Sequence, residues 1–426
     1  MILALYIAQS LEVRGVRYSL VSIPTILFEQ LKPKSMIKTP SAPRIEVVDA
    51  LRGFAILSIM LLHNIEHFDF YFFPDFLPQW LKAVDGGIWK TLFFLFGGKS
   101  YAIFAILFGL TFHIQLSNQQ SRGGDFRARF AWRLILLLGF GVFNSLFYQG
   151  DILCFYAILG FALIPVCRLK DGVVLATALF FLSQPVEWIR FFQILSDPAY
   201  VPASRYSDYY FPLTAKGFTS NSFFDLVAGN IQVGKLAVIS WFIEYGRVMQ
   251  TVGLFMVGML IGRKGLFGVS DVNLRFWKRT LLTAAIIFFP LFFLKDSLGS
   301  FVSREVLIEP LALVIGMWSN VAFTAILISS FVLAYQLRLG QRVLSKLIPI
   351  GKMTLTNYIM QSMVGSFIYY EYGFGLYKYT GATFCLLIGV ALISLQIVFC
   401  KWWLKSHKHG PLETLWHKGT WIGTDR

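Results

Sequence analysis

After about residue 44, the chain alternates between long apolar runs and short segments rich in lysine and arginine. A transmembrane helix needs about 20 predominantly apolar residues. We predict spanning helices at 47–66, 97–117, 131–149, 151–168, 172–194, 247–264, 280–297, 311–336, 349–370 and 381–402. The pattern therefore predicts an all-α fold, a polytopic membrane helical bundle of about ten transmembrane helices.

Composition supports a membrane protein over a soluble one. The 426 residues are 56% hydrophobic and 14% charged, whereas soluble domains average about 45–50% and about 25%. This excess of apolar residues cannot be buried in a soluble core, because most residues of a folded chain lie near its surface. Lipid is the solvent that accommodates it.

The remaining segments suggest a domain division. Residues 1–43 have only short, broken apolar pieces, and we predict a flexible N-terminal extension, with Met36 as a hypothetical natural start. The transmembrane domain covers 44–417, and 418–426 form a C-terminal tail. The one long polar stretch, 195–246, is predicted to be an extracytoplasmic loop with a short amphipathic helix near 221–236.

The distribution of basic residues predicts the orientation. If the N-terminus is cytoplasmic, the inside segments hold 26 Lys and Arg and the outside segments hold 11. Cytoplasmic loops of membrane proteins carry the excess of positive charge. We therefore expect both termini on the cytoplasmic side of the membrane.

The first apolar run contains the most informative polar residues. Arg52 lies about one turn inside it, where charge is costly unless it faces protein or water, and Asp49 can pair with it. His63 follows by eleven residues, on the same stripe and about 16 Å farther along the axis. Asn64 and His67 extend the polar region. Arg52 could bind an anion and His63 could move a proton, although interface anchoring by Arg52 and helix capping by His63 are alternatives.

Other polar residues are weaker candidates for substrate binding. Lys99 opens the second run, and Glu244 with Arg247 lies at the entry to the sixth, where a local ion pair is the simpler interpretation. Asn357 and Gln361 are four residues apart in the ninth run, a spacing typical of interhelical hydrogen bonds.

Several chemical classes lack their motifs. The chain has no GxxxxGK[ST], HExxH or GxSxG, which argues against a P-loop ATPase, a zinc protease of that type and an α/β-hydrolase. Its four cysteines include no CxxC pair. We therefore predict no metal site and no bound cofactor.

Five ordered motifs carry a family resemblance over some 370 residues. They are RIEVVDALRGFAIL from residue 44, FGGKSYAIFAILFGL at 96–110, GDILCFYAILG at 150–160, GKMTLTNYIMQS at 351–362 and HGPLETLW at 409–416. The chain resembles the YeiB-like membrane proteins of bacteria, which contain a domain of unknown function. Thr414 departs from the Trp that is common in the last motif of that family. The resemblance implies a multi-pass protein of the bacterial inner membrane.

That family looks like a branch of the transmembrane acyltransferase superfamily, whose acetyltransferases carry an Arg-x10-His arrangement in the first span. Arg52 and His63 match that spacing. The resemblance implies transfer of an acyl group from a cytoplasmic donor such as acyl-CoA to an extracytoplasmic glycan, lipid or small molecule. His63 would be the catalytic base, and Arg52 would hold the donor.

Two other functions stay open. A proton-coupled transporter or exporter would also place Arg and His on one internal face, and a non-enzymatic membrane scaffold or sensor would need neither. The expected partners are membrane lipids, a small-molecule or glycan substrate and a second copy of the chain, with no nucleic acid.

Overall fold

A computed structural model describes residues 45–197, 199–200 and 202–422. The described residues form helices joined by turns and contain no β-strand. The predicted extension at 1–43 and the end of the predicted tail, 423–426, lie outside the described residues. The α-helices are α1 Glu46–Ile65, α2 Gln79–Phe96, α3 Lys99–Gln120, α4 Arg127–Asn144, α5 Leu153–Gly160, α6 Leu163–Val166, α7 Asp171–Leu182, α8 Pro185–Ser196, α9 Tyr206–Phe218, α10 Phe223–Gly229, α11 Lys235–Glu244, α12 Arg247–Arg263, α13 Asp271–Phe301, α14 Ile308–Tyr335, α15 Arg338–Leu344, α16 Ile348–Lys352, α17 Thr354–Tyr369, α18 Ala382–Ser406 and α19 Pro411–Thr420.

The described part of the chain has six helical stretches that are long and apolar enough to cross a membrane. They are Glu46–Ile65, Gln79–Gln120, Phe223–Glu244, Asp271–Phe301, Glu305–Tyr335 and Ala382–Ser406. The pair α7 and α8, bent by 46°, would make a seventh if it acts as one span. The all-helical, membrane-compatible fold is thus confirmed, and five of the predicted runs coincide with these six stretches.

The other predicted runs fold into shorter or more polar helices. The run at 131–149 is α4, which has 18 residues and carries three arginines. The run at 247–264 is α12, with 17 residues. The runs at 151–168 and 349–370 each fold into two helices. These are α5 and α6 in the first run and α16 and α17 in the second. Apolar length in the sequence therefore overstates the length of continuous helix.

The stretch at 195–246 is mostly helical, whereas the sequence predicted a long loop with one short helix near 221–236. It contains α9, α10 and α11, and a five-residue π-helix joins the last two. The 22 residues from Phe223 to Glu244 are apolar enough to span. The polar residues that suggested a loop are concentrated in and before α9, where Asp208 lies in the first turn.

Helix α1 is the centre of the bundle. Within its most apolar window, 72% of the residues are buried, against 17% for α13. It packs against α2, α3, α14, α16, α17 and α18. A Cβ on Gly351 of α16 would overlap the backbone carbonyl of Asp49, so only glycine permits this approach. The polar side chains of α1 therefore face protein rather than lipid.

A second close contact joins α3 and α12. A Cβ on Gly109 would overlap the carbonyl of Phe255, and a Cβ on Gly258 would overlap the carbonyl of Ile106. Small residues at a helix interface allow this separation. The two helices are thereby held beside each other, and their first residues, Lys99 and Arg247, enter the same cavity.

Candidate functional site

Two cavities meet beside α1. The first, of about 380 Å³, is lined by Arg52, and we call it the Arg52 cavity. The second, of about 760 Å³, is lined by His63, and we call it the His63 cavity. The residues that line both cavities, here called the dividing residues, are Ile59, Tyr101, Ile152 and Tyr358. One helix therefore presents its arginine to one cavity and its histidine to the next.

Arg52 is held by two short hydrogen bonds. It donates to Asp49 Oδ1 at 2.7 Å and to Thr111 Oγ1 at 2.6 Å. The predicted pairing of Asp49 with Arg52 is confirmed, and Asp49 is buried behind the guanidinium rather than in the cavity. Thr111, on α3, was not foreseen from the sequence. The arginine is thus fixed in place while it still lines the cavity.

His63 lies in a cluster of acidic and phenolic side chains. Its Nδ1 is 3.3 Å from Glu66 Oε2 and 3.1 Å from the Tyr148 hydroxyl. Tyr148 donates to Asp69 Oδ1 at 3.1 Å, and Tyr71 donates to Glu66 Oε1 at 3.2 Å. Because Tyr148 gives its proton to Asp69, His63 Nδ1 is best placed to donate. The Nε2 atom is then the unprotonated nitrogen and can accept a proton, as in catalytic triads.

The backbone after α1 brings the acidic groups to the histidine. His67, Phe68 and Asp69 have φ values of 47°, 55° and 72°, three consecutive non-glycine residues in the left-handed region. Such a conformation costs about 1–2 kcal/mol per residue and is uncommon outside functional or tightly held segments. The turn folds the chain back, so that Asp69 lies across Tyr148 from His63.

The environment of Asp69, in the segment between α1 and α2, raises the pKa of its carboxyl above the ordinary value. Burial raises the pKa of the Asp69 carboxyl to about 6, and the negative charge of Glu66 acts in the same direction. The interaction with His63 and the hydrogen bond from Tyr148 oppose the change. The cluster therefore contains a carboxyl group whose pKa lies near that of histidine.

The same cluster could hold a cation, which the sequence analysis did not predict. One ligand atom from each of His63, Glu66 and Asp69 lies within 4.8 Å of the other two. Nitrogen and carboxylate oxygen are donors that divalent transition metals accept. The hydrogen bonds among these groups account for their grouping without a metal ion.

Known proteins resemble this chain over most of its length. A family model described as a protein of unknown function, DUF418, matches residues 261–423. The chain is 26% identical to the uncharacterized protein YxaH of Bacillus subtilis, covering 91% of this chain and 97% of YxaH. It is 24% identical to the uncharacterized protein YeiB of Escherichia coli, covering 88% of this chain and 95% of YeiB.

The chain is a homologue of YeiB and YxaH. The predicted resemblance to YeiB-like proteins is therefore confirmed. An uncharacterized 39.9 kDa protein of Bacillus acidopullulyticus is 25% identical over 89% of this chain and 94% of its own length. No solved structure matches the chain. The likeness to the acyltransferase superfamily stays a prediction.

The YeiB-like motifs have structural explanations. In HGPLETLW, Glu413 accepts hydrogen bonds from the backbone NH and the hydroxyl of Thr356 at 3.0 and 2.6 Å, which caps the start of α17. In GDILCFYAILG, Asp151 accepts from Cys154 N at 2.9 Å at the start of α5, as expected for a capping residue. These motifs build the walls of the two cavities.

Lys99 and Arg247, both predicted substrate-binding residues, line the His63 cavity. Glu244 does not form the local pair with Arg247 that the spacing suggested. It accepts instead from the Ser207 hydroxyl at 2.6 Å and from the Tyr206 backbone NH at 2.8 Å, because α9 packs against this end of α11. Arg247 donates to Gln250 Oε1 at 3.0 Å.

The other predicted polar residues lie outside both cavities. Asn64 accepts from the Tyr369 hydroxyl at 2.9 Å, and Asn357 donates to Ile350 O at 3.3 Å. Gln361 donates to Gln396 at 3.0 Å, across to α18. These contacts are the interhelical hydrogen bonds that the spacing of Asn357 and Gln361 indicated.

His67 is also a structural contact rather than a cavity residue. Its Nε2 is 2.9 Å from the Thr380 carbonyl oxygen, so it joins the turn after α1 to the segment before α18. Burial lowers the pKa of His67 to about 4, so the ring is neutral at pH 7.

Proposed function

We propose that this YeiB-like protein is a membrane acyltransferase. The observation that carries the proposal is the placement of Arg52 and His63 on one buried helix, in two cavities that share the dividing residues. An acyl donor in the Arg52 cavity and an acceptor in the His63 cavity would meet at that boundary. Holding two reactants in such a position is itself a large source of rate acceleration.

The proposed topology is the one predicted from charge. About ten helical segments cross the bacterial inner membrane, and both termini lie in the cytoplasm. The Arg52 cavity then opens toward the cytoplasm, where acyl-CoA is made. The His63 cavity faces the outer side, where a glycan, lipid or small-molecule acceptor arrives. The ten segments are the predicted runs, in which α5 pairs with α6, α7 with α8 and α16 with α17 within single spans, while α10 and α11 stay on the outer side.

In the proposed reaction, His63 Nε2 removes the proton from an acceptor hydroxyl while its oxygen attacks the thioester carbonyl carbon. The carbon–sulfur bond then breaks, and the thiolate leaves with the proton from the imidazolium. Glu66, at 3.3 Å from Nδ1, stabilises the charged ring and fixes its orientation. Arg52 holds anionic or carbonyl oxygens of the donor.

Transfer from radiolabelled acetyl-CoA tests the proposal. The purified protein, in lipid nanodiscs, is incubated with a panel of glycans, lipids and small alcohols. We expect His63→Ala to lower the rate about 10²–10⁴-fold, the usual contribution of a general base. His407→Ala is the matched control, since His407 is exposed and stacks on Trp403 outside both cavities.

Transfer that persists in His63→Ala would remove this residue from catalysis. If no donor is used by the wild-type protein while reconstituted vesicles take up a substrate, the protein is a carrier. The 46° bend between α7 and α8 is the feature that favours this second candidate, because broken helices are typical of transporters.

A further inference from the structure

Three cationic side chains from three helices line the His63 cavity. They are Lys99 on α3, Arg247 on α12 and Lys295 on α13. Lys99 lies within Coulombic range of both other cations. A Cβ on Gly98 would be 3.5 Å from Arg247 Nη1 and 3.3 Å from Asn320 Nδ2. The tertiary fold thus gathers positive charge and an amide donor that are far apart in the sequence.

Within the described residues, no carboxylate lies within ion-pair distance of Lys99, Arg247 or Lys295. Arg247 packs over the rings of Tyr101 and Trp241, each 5.2 Å away, and its Nε is buried without a hydrogen-bond acceptor. Like charges grouped without a counter-charge repel one another, and charged groups in membrane helices normally pair or mark a substrate path.

Backbone groups add to the positive potential. Helices α3 and α12 begin at Lys99 and Arg247, and neither has a side-chain cap at its N-terminus. Gly97, Gly98 and Ser100 line the same cavity. The first NH groups of a helix have no partner within the helix, and together with the helix dipole they attract anions. Two such ends and three cations occupy one cavity.

From this arrangement we infer that the His63 cavity binds a phosphate group carried by the acceptor. A phosphate carries about −1.5 to −2 charges at pH 7 and several strong acceptor oxygens, which suits three cations better than a single carboxylate does. The inference rests on the proposed function, in that it names the class of acceptor as a hydroxyl-bearing phosphate ester. The hydroxyl faces His63 and Glu66, and the phosphate faces Lys99, Arg247 and Lys295.

Such an ester can be a soluble molecule or the headgroup of a membrane lipid. To separate the two, full-length protein is prepared in phosphatidylcholine nanodiscs and titrated with glycerol phosphate or glycerol at constant ionic strength. A second preparation uses nanodiscs that contain phosphatidylglycerol. Binding is measured by calorimetry, and lipid dependence is measured by thermal unfolding.

Lys295→Met is the informative variant, because Lys295 is exposed at the cavity mouth and its loss leaves no buried partner. Lys278→Met is the matched control on the same helix, exposed and outside the cavity. We expect glycerol phosphate, but not glycerol, to bind the wild type. Loss of one charge-assisted contact in Lys295→Met should weaken that binding about 10-fold or more, and Lys278→Met should match the wild type.

If the acceptor is soluble, glycerol phosphate should bind the wild type, and bind Lys295→Met more weakly, in both kinds of nanodisc. A lipid acceptor predicts that phosphatidylglycerol stabilises the wild type and not Lys295→Met. Absence of any phosphate effect, or equal effects of the two variants, would overturn the inference. His63→Ala should still bind glycerol phosphate more tightly than glycerol, because the phosphate faces Lys99, Arg247 and Lys295. Phosphate binding without any transfer would support the anion site and contradict the proposed acyltransferase activity. His63-dependent transfer without phosphate binding would support the acyltransferase activity and contradict the anion site.

Discussion

The Arg52 cavity and the His63 cavity differ in how their charges are balanced. In the Arg52 cavity, the Arg52 guanidinium is paired with Asp49 at 2.7 Å and supported by Thr111. Glu413 lines the same cavity as the other two cations, Arg133 and Lys352. In the His63 cavity, the acidic groups cluster with His63. The three cations lie elsewhere in the same cavity, and no carboxylate of the described residues is within ion-pair distance of them. The second cavity therefore keeps opposite charges apart.

This difference indicates separate tasks for the two cavities. An arginine that is fixed and already paired can orient a ligand without attracting it strongly. Separated charges, in contrast, attract a ligand that carries the complementary charges. A molecule with a polar reactive end and an anionic end fits the His63 cavity. Most residues that line the Arg52 cavity are aromatic or aliphatic, and Arg133 and Lys352 add positive charge for the anionic groups of a donor.

The largest effect is expected at the boundary between the cavities. Ile59→Trp adds an aromatic ring at a dividing residue, so it should separate donor from acceptor and lower transfer about 100-fold, as small misplacements of reactants do. Acetyl-CoA and phosphate binding, measured by calorimetry, should be retained. Ile59→Val is the control with normal transfer. Full activity in Ile59→Trp would show that the reactants do not meet there.

The next largest effect concerns the neutralised arginine. Arg52→Met breaks the ion pair to the buried Asp49 carboxylate, so we expect a loss of about 3–5 kcal/mol in unfolding free energy and weaker acetyl-CoA binding. The double variant Asp49→Asn with Arg52→Met should regain most of the stability but not the donor affinity. Recovery of both would mean that Arg52 is only a structural residue.

Tyr148 should have a smaller effect that is confined to the His63 cavity. Tyr148→Phe removes the hydroxyl between His63 and Asp69, so the transfer rate constant kcat should fall about 10-fold, with KM nearly unchanged, for one lost hydrogen bond to a charged group. The pH profile of kcat should also move. Tyr335→Phe, a buried tyrosine near Glu46, is the control. An unaltered kcat and pH profile would exclude a positioning role.

The smallest effect is expected for a predicted binding residue outside both cavities. Gln361→Leu leaves the buried Gln396 amide unpaired and should lower stability by about 1–3 kcal/mol without changing transfer. Adding Gln396→Leu should restore part of that stability. A change in KM for the acceptor would place Gln361 in the substrate path after all.

Local spacing predicted what lies on α1. The i,i+3 relation between Asp49 and Arg52 was sufficient to predict their pairing. The same relation links His63 to Glu66, so the spacing in the sequence also carries this contact. Tyr148 and Lys295 carry no such signal, because they reach the site through the packing of distant helices.

Helix lengths were predicted less well than helix positions. The interruption between α16 and α17 falls at Met353, directly after Gly351 and Lys352, within a run that hydropathy predicted as one span. For the apolar stretch from Phe223 to Glu244, only a short helix near 221–236 within a loop was predicted, because the stretch follows the polar residues of α9. Hydropathy reports burial or lipid contact and does not distinguish a continuous helix from two short ones.

The left-handed turn at His67–Asp69 makes the position of the acidic group conditional on another helix. Phe68, at its centre, is fully buried against Gly365 of α17, where any side chain would overlap the ring, and its carbonyl accepts a hydrogen bond from Tyr370. Packing against α17 therefore holds the strained backbone of the turn in place. Were α17 to move away, the turn would relax toward ordinary dihedral angles and withdraw Asp69 from Tyr148. The position of α17 therefore controls which acidic group lies beside His63 of α1.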